Sequence, residues 1–354
     1  MKKWKVLSVL LVVLIAAVYY YIELPAINIH STGFWFFIIA FVLLLVAAFV
    51  IRRKIRSRYD MTDGERRVVT IGLGAAGLLV VIFVVGSVLS SPIVNAKKYH
   101  ELIQPEERDF AEDIKQISFD QIPLLDKDSA ELLGNRKMGS MVDMVSQFEI
   151  SDLYSQINYQ NKPMRVTPLV YASPIKWLTN QANGIPAYIR IDMTNQETEL
   201  VKLDKPIKYS ESEYIFDQLS FEIDDDGVPY WVCPVKKFNI GLFGGQTIGR
   251  VVLCNAQTGE CTDYAIEDCP QWVDRAYPAD LLIELYDYHG KMVNGFINSI
   301  FGQKGCLMTT TDYNYLAIDD DVWVYTGVTS VSGDQSIVGF VLMNQRTMET
   351  RYYS

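Results

Sequence analysis

The pattern of apolar positions divides the chain into two parts. The first 90 residues hold three unbroken apolar runs, each close to the roughly 20 residues that cross a bilayer. They predict a membrane domain, residues 1–90, with transmembrane helices at about 6–22, 34–51 and 68–89. The first run follows a basic start and could instead be a signal peptide, but it lacks a small-residue cleavage site.

Basic residues predict how these helices are oriented. Lysines precede the first run, seven Lys and Arg crowd the loop at 52–67, and the loop between the first two runs has none. The positive-inside rule then places the N-terminus in the cytoplasm and residues 91–354 outside it, in a multi-pass protein of the cell membrane. The outer residues carry a net charge of −16, which argues against nucleic-acid binding because phosphates would be repelled.

The third run carries a face of small residues that includes Gly72 and Gly77. Such a face allows close helix packing, so it could join two copies of the chain in a homo-oligomer. Such faces often pack only within their own bundle, which is the simpler interpretation.

Beyond a predicted stalk at 91–122, three sets of anchors recur in the same order. An apolar or aromatic triplet begins at Met164, Tyr230 and Val322, and a turn opener follows 26, 23 and 20 residues after each triplet. The openers are Asp192, Asn255 and Asn344, and each has a glutamate five residues later. On this alignment Trp231 and Trp323 occupy equivalent, buried positions. The recurrence predicts three repeats at 123–205, 206–270 and 271–354.

Each repeat is predicted to be a helix followed by about four antiparallel strands, so the outer region is α+β. Helical patterns precede the strands at 126–141, at 210–219 and in one long apolar stripe from Leu281 to Ile300. Short β-branched and aromatic runs, bounded by Asp, Asn, Gly and Pro, indicate the strands. Each helix would lie across one face of its sheet.

The helix, the meander and strands that end in "VVLCNAQTGE" or "VLMNQRT" resemble the PepSY-like repeat of bacterial envelope proteins. The pattern from "IPLLDKDSAELLGNRKMG" to "VGFVLMNQRT" is also similar to an uncharacterised group of membrane-anchored envelope proteins of Gram-positive bacteria. There are two departures from the usual Asp-x-x-Thr-Gly turn: asparagine opens the second and third turns, and Met348 stands where glycine would be in the third. The resemblance implies a non-catalytic domain that binds or modulates an extracytoplasmic protein or peptide, as scaffold or sensor.

The chain offers little catalytic chemistry. His30, His100 and His289 fall in three different predicted elements, and the usual nucleophile, Walker and metal-binding motifs are missing from the sequence. We therefore predict no catalytic, cofactor or metal residues. The alternative is a cell-envelope hydrolase that uses carboxylates, with the repeats positioning the substrate. That alternative requires acidic residues gathered in the cleft of one repeat.

The stretch "IDDDG" has both a calcium interpretation and a structural one. Adjacent aspartates of an extended segment point to opposite faces, and the twelfth residue from Asp224 is Val235 rather than glutamate, so a turn is the simpler interpretation. Among five cysteines, Cys254 and Cys261 flank the second turn. They would face one another if Asn255 closes opposite Glu260, and would point apart if Gly259 forms a bulge.

Two tryptophans are the candidate partner contacts. Trp177 lies in the variable loop of the first repeat and Trp272 between the second and third repeats. Large aromatic residues dominate many binding interfaces, although local packing is the simpler explanation of such residues.

Overall fold

The computed structural model describes residues 2–23, 25–56, 61–113, 125–208, 219–331 and 336–354. These residues form two compact units. The first unit is Met1–Asn95 with Phe238–Gln246, and the second is Ala96–Lys237 with Thr247–Ser354.

The first unit is built from three apolar helices: α1 Lys2–Glu23, α2 Thr32–Arg56 and α3 Asp63–Ser90. The segments Thr32–Arg53 and Asp63–His100 are long and apolar enough to cross a membrane, whereas the apolar stretch Leu10–Glu23 is shorter. The predicted N-terminal apolar helices are therefore present, two of them with full spanning length. Thr62 begins α3 with a capping box, because its hydroxyl accepts from the Glu65 N–H and the Glu65 carboxylate accepts from the Thr62 N–H.

A hairpin tip from far along the chain completes the first unit. The backbone N–H groups of Leu242 and Phe243 both donate to the Ser90 hydroxyl, at 2.9 and 3.1 Å. The Leu242 carbonyl accepts from Nδ1 of His30 at 2.7 Å, and the Phe243 ring packs on Phe83. This tip, residues 238–246, thus supplies apolar and polar contacts to the helices.

The two glycines of the small-residue face of α3 have different surroundings. Gly72 lies directly against Val46 of α2, so a side chain there would collide with a neighbour in the same chain. Gly77 has open space where a Cβ would stand. Packing within the bundle accounts for Gly72.

The second unit contains the remaining helices and all the strands. Its helices are α4 Pro92–His100, which begins in the first unit, α5 Phe110–Asp113, α6 Lys127–Gly139, α7 Val142–Val145, α8 Pro174–Asn180, α9 Ala279–Lys291 and the short α10 Gly295–Ile297. Its strands are β1 Glu106–Glu107, β2 Phe148–Ile150, β3 Ser155–Tyr159, β4 Lys162–Tyr171, β5 Ile185–Asp192, β6 Thr198–Ile207, β7 Ser220–Ile223, β8 Pro229–Ile240, β9 Gly244–Asn255, β10 Cys261–Ala265, β11 Leu307–Thr309, β12 Asn314–Ile318, β13 Asp321–Ser330, β14 Ile337–Asn344 and β15 Thr350–Tyr353.

The strands form three sheets in chain order. The first has the order β2-β4-β5-β6 with β3 also on β4, the second β10-β9-β8-β7, and the third β1-β15-β14-β13-β11 with β12 also on β13. The pairing is antiparallel apart from β1, which lies parallel to β15. Residues 106–107 of the predicted stalk are thus the edge of the third sheet.

The three sheets share their cores. Helix α6, whose N-cap is Asp126, covers the first sheet through Ala130 and Met138. Phe221 and Ile223 of the second sheet pack with residues of the first. A larger core combines α9 with residues of the second and third sheets. The sheets are therefore joined through apolar side chains rather than strung on linkers.

Three hairpin turns share one hydrogen-bonding pattern. The backbone N–H of each opener donates to the carbonyl five residues later, at 2.8–2.9 Å. The opener's side-chain oxygen accepts from the N–H groups two and three residues later. The residue four positions on has a positive φ, namely 63° at Gln196, 78° at Gly259 and 66° at Met348. The openers are Asp192, Asn255 and Asn344, as the sequence predicted.

The predicted equivalence of Trp231 and Trp323 is wrong by one residue. Trp323 pairs with the turn opener Asn344, as Met164 pairs with Asp192. In each hairpin the backbone N–H of the residue that follows the opener donates to a backbone carbonyl of the first strand. The carbonyl belongs to the residue before Met164 in the first sheet, before Tyr230 in the second and before Trp323 in the third. Tyr230 is therefore the counterpart of Trp323. Because side chains alternate along a strand, this shift turns Trp231 to the opposite face.

The long apolar stripe after residue 280 is not one continuous helix. Helix α9 ends at Lys291, and Gly295, with a φ of 83°, begins a separate short turn. Leu281 and Leu285 are buried as predicted, but Ile300 at the far end of the stripe is exposed. The helix predicted at 210–219 lies almost entirely outside the described residues.

Candidate functional site

An exposed apolar surface lies on α8, which connects β4 to β5. The Ser173 hydroxyl caps this helix by accepting from the Lys176 N–H. Its apolar side chains point outward: Ile175 is 71% exposed, Trp177 48% and Leu178 62%. We call these three residues the α8 face. Water-exposed apolar groups gathered in this way are typical of binding surfaces.

A shallow groove runs beside the α8 face. Tyr171 and Trp177 give it aromatic walls, and Glu149 of β2 adds an exposed carboxylate; Ala172, Ser173 and Pro174 complete the lining. The Tyr171 hydroxyl donates to the Asn180 carbonyl at 3.4 Å, which connects the groove to the end of α8. Aromatic walls beside a carboxylate suit a segment with an apolar side chain and a basic group.

Trp272, the second candidate contact, has a different environment. Its ring lies 5.0 Å from that of Tyr230, and it packs against the core that α9 shares with two sheets. It does not line the groove beside the α8 face. The structure thus does not place the two tryptophans in one site, and Trp272 contributes to packing.

A pair of acidic side chains is fully buried where the three sheets meet. Glu222 of β7 accepts the backbone N–H of Asp274 at 2.8 Å and the hydroxyl of Ser220. Asp274 in turn accepts the backbone N–H of Asn158, from the first sheet, at 2.6 Å. Its other oxygen, Oδ1, is buried and makes no hydrogen bond within the described residues.

Burial disfavours the charged form of both acids. It raises the pKa of Glu222, and it raises that of Asp274 well above the ordinary value, with repulsion from Glu222 adding to the effect. Burial therefore favours the protonated form of each carboxyl. Neither has contact with solvent, so the pair is suited to joining the sheets rather than to reacting with a substrate.

A second group of acids lies in a groove along α9. Asp280, Glu284 and Asp287 line it from one face of the helix. Asp287 accepts from the Thr309 N–H and hydroxyl and pairs with Lys291 at 2.6 Å. Asp280 accepts from a tyrosine hydroxyl on the opposite wall. Two of the three carboxylates are therefore committed to hydrogen bonds that hold the groove together.

The aspartates of "IDDDG" form a turn, as predicted. One carboxylate oxygen of Asp224 accepts from the N–H groups of Asp226 and Val228, at 3.1 and 2.8 Å. Gly227 has a φ of 78°, which closes the turn. Among the described residues, no group of three or more His, Cys, Asp or Glu side chains is placed to hold a metal ion.

Cys254 and Cys261 form a disulfide across the second hairpin. The two residues are directly paired, with Cα atoms 4.0 Å apart, and the Asn255 N–H donates to the Glu260 carbonyl. The first of the two predicted geometries is therefore the one adopted. Burial raises the pKa of the free Cys233 thiol to about 12, so this thiol is unreactive.

His100 and His289 meet, which the sequence did not indicate. Their rings stack with centroids 4.2 Å apart, and Nδ1 of each donates to the backbone carbonyl of the other. Burial lowers the pKa of His289 and favours its neutral form. The pair closes the end of α4 onto α9. Because the two histidines are 189 residues apart in the chain, no local sequence pattern predicts their contact.

Comparisons with known protein families, with curated proteins and with solved structures find no match to this chain.

Proposed function

We propose that this chain is a membrane-anchored, non-catalytic envelope protein that binds a protein or peptide partner through the α8 face and its groove. The observation that carries the proposal is the exposure of Ile175, Trp177 and Leu178 beside aromatic walls and a carboxylate. Burying these side chains against a partner would gain about 25 cal/mol for each Å² of apolar surface removed from water.

The proposal includes the orientation that the charges predict. The N-terminus and the 52–67 loop would lie in the cytoplasm, and residues 91–354 outside it. Added protease should then degrade the outer part in intact cells stripped of their wall while sparing the basic loop. Cleavage of the loop at residues 52–67 under the same conditions would contradict this topology.

The outer part would present repeated units that resemble PepSY. Support comes from the three turns with one hydrogen-bonding pattern, one in each sheet, and from helices packed on the first and third sheets. In this proposal the repeats form a scaffold, and the variable connection that contains α8 provides specificity.

Site-specific photocrosslinking tests the binding surface. The full chain carries a benzophenone amino acid in place of Leu178 and is irradiated in its own membranes. We expect a discrete protein or peptide adduct that is lost when Trp177→Ala is added, because the neighbouring anchor is removed. The matched control places the same group at Leu132, which is 70% exposed on α6. Equal adducts at both positions would contradict a specific site.

A second candidate, a carboxylate-dependent hydrolase, is favoured by one observation. Three acidic residues are gathered along the α9 groove, and of these Glu284 is exposed. The test compares wild type with Glu284→Gln for hydrolysis of peptides and wall glycans. Hydrolysis that the glutamine variant lacks would favour this candidate over the binding protein.

A further inference from the structure

The segment that follows α9 has an unusual composition. Residues 288–311 contain no Asp or Glu, although the outer part of the chain holds 38 acidic residues in 264. The same stretch carries Lys291 and Lys304. It is therefore a positive interruption in a strongly negative region.

Within this stretch the 293–304 loop directs its apolar side chains outward. Phe301 is 82% exposed, and Val293, Ile297 and Ile300 are exposed with it. On a protein surface that faces only water these positions would ordinarily be polar.

Several polar side chains of the loop hydrogen-bond to its own backbone. The Asn294 and Asn298 amides donate to the Lys304 carbonyl at 2.9 and 3.1 Å, and the Asn298 side-chain oxygen accepts from the Lys304 N–H. The Ser299 hydroxyl is buried and donates to the Phe296 carbonyl. The loop is thus internally closed, so its apolar exposure is a built feature.

We propose that the 293–304 loop contacts the lipid bilayer, with Phe301 and its apolar neighbours among the acyl chains and Lys304 near anionic headgroups. Apolar burial and attraction of lysine to anionic lipid are the two forces that bind such segments to an interface. The absence of acidic residues removes the repulsion that the rest of the region would experience. This inference rests on the membrane anchoring proposed above and is independent of partner binding.

The test uses the full chain reconstituted into vesicles of phosphatidylcholine with phosphatidylglycerol. A benzophenone amino acid replaces Phe301, and lipid adducts are measured by mass spectrometry after irradiation. Leu78 of α3 is the positive control for membrane anchoring, and Leu132 of α6 is the exposed apolar control. We expect lipid adducts at 78 and 301, with a yield at 301 several-fold above that at 132.

Other outcomes overturn the proposal. Adducts at 78 without 301, a crosslink from 301 to a second copy or to another protein, or equal yields at 132 and 301 would each exclude a specific lipid contact. No adduct at 78 would show that the anchoring itself fails, and this inference would fall with it.

The charge contribution is tested by Lys304→Glu. The hydrogen bonds of residue 304 come from its backbone, so the substitution leaves the loop closed. We expect the lipid-adduct yield at 301 to fall about fivefold on vesicles with phosphatidylglycerol and to change little on phosphatidylcholine alone. An unchanged yield on the anionic vesicles would contradict the role of the lysine.

Discussion

At the scale of single residues, the buried acids Glu222 and Asp274 lie at a junction that three sheets contribute to. Their protonated forms suit the apolar surroundings, whereas the unfolded chain ionises them at about pH 4. The raised pKa of Asp274 therefore adds stability that is fully present below about pH 4 and is lost as the pH rises through the native pKa.

Asp274→Asn removes this ionisation and keeps an oxygen for the Asn158 N–H. We expect the variant to be more stable than wild type by about 1–2 kcal/mol at pH 7, with little difference at pH 4. Thermal unfolding of the detergent-solubilised chain across this pH range measures it. The control is Asp225→Asn, an exposed neighbouring acid, for which we expect a change below about 0.5 kcal/mol. Greater stability of wild type at pH 7 would contradict the assignment.

At the scale of elements, the three equivalent turns differ in the residue that takes the positive φ. Glycine tolerates this conformation, whereas a residue with a Cβ is strained by about 1 kcal/mol. Gly259→Ala should therefore destabilise the chain by about 1 kcal/mol. Gln196→Gly, at an exposed site, should leave it unchanged or stabilise it slightly because relief of strain offsets the added chain entropy. Chemical unfolding of both variants measures the contrast, and a reversed order would refute the equivalence.

The disulfide is an addition to a turn that closes without it. The first and third hairpins have the same hydrogen bonds and no bridge. We expect Cys254→Ser with Cys261→Ser to fold and to lose about 2 kcal/mol of stability, as expected for a short closed loop. Unfolding in denaturant checks the loss, and failure of the variant to fold would show that the bridge is essential.

The turns were predictable because their hydrogen bonds join residues within five positions. Other features depend on long-range contacts. The alignment of Trp231 with Trp323 fails by one residue because strand pairing sets the register, and the sequence does not show that pairing when the connecting loops differ in length. The end of α9 follows from Gly290, which lies directly against the Leu307 backbone, and from the turn at Asn294 and Gly295. Of the candidate site, the sequence predicts Trp177, an aromatic residue in a variable connection. It does not predict the groove, because Glu149 comes from a different strand.

At the scale of the whole molecule, the shared cores predict that the three sheets unfold together. Phe221 is fully buried between Tyr188 of the first sheet and Trp231 of the second. Phe221→Ala should cost about 3–5 kcal/mol, because it leaves a cavity in this core. If folding is cooperative, amides of the third sheet should exchange faster as well.

Hydrogen exchange of the full chain in detergent measures this coupling. Val142→Ala, at an exposed site on α7, is the control and should leave exchange unchanged. Faster exchange confined to the first two sheets would show that the third sheet folds independently.

The hairpin tip at residues 238–246 has a consequence for biosynthesis. The ribosome completes α3 about 150 residues before it reaches the backbone donors of Leu242 and Phe243, so the first unit remains unfinished through most of translation. The three helices must therefore form before the tip exists and accept it only afterwards. A fragment secreted without the helices would expose Leu242 and Phe243 to water, because the residues they contact in the full chain would be missing.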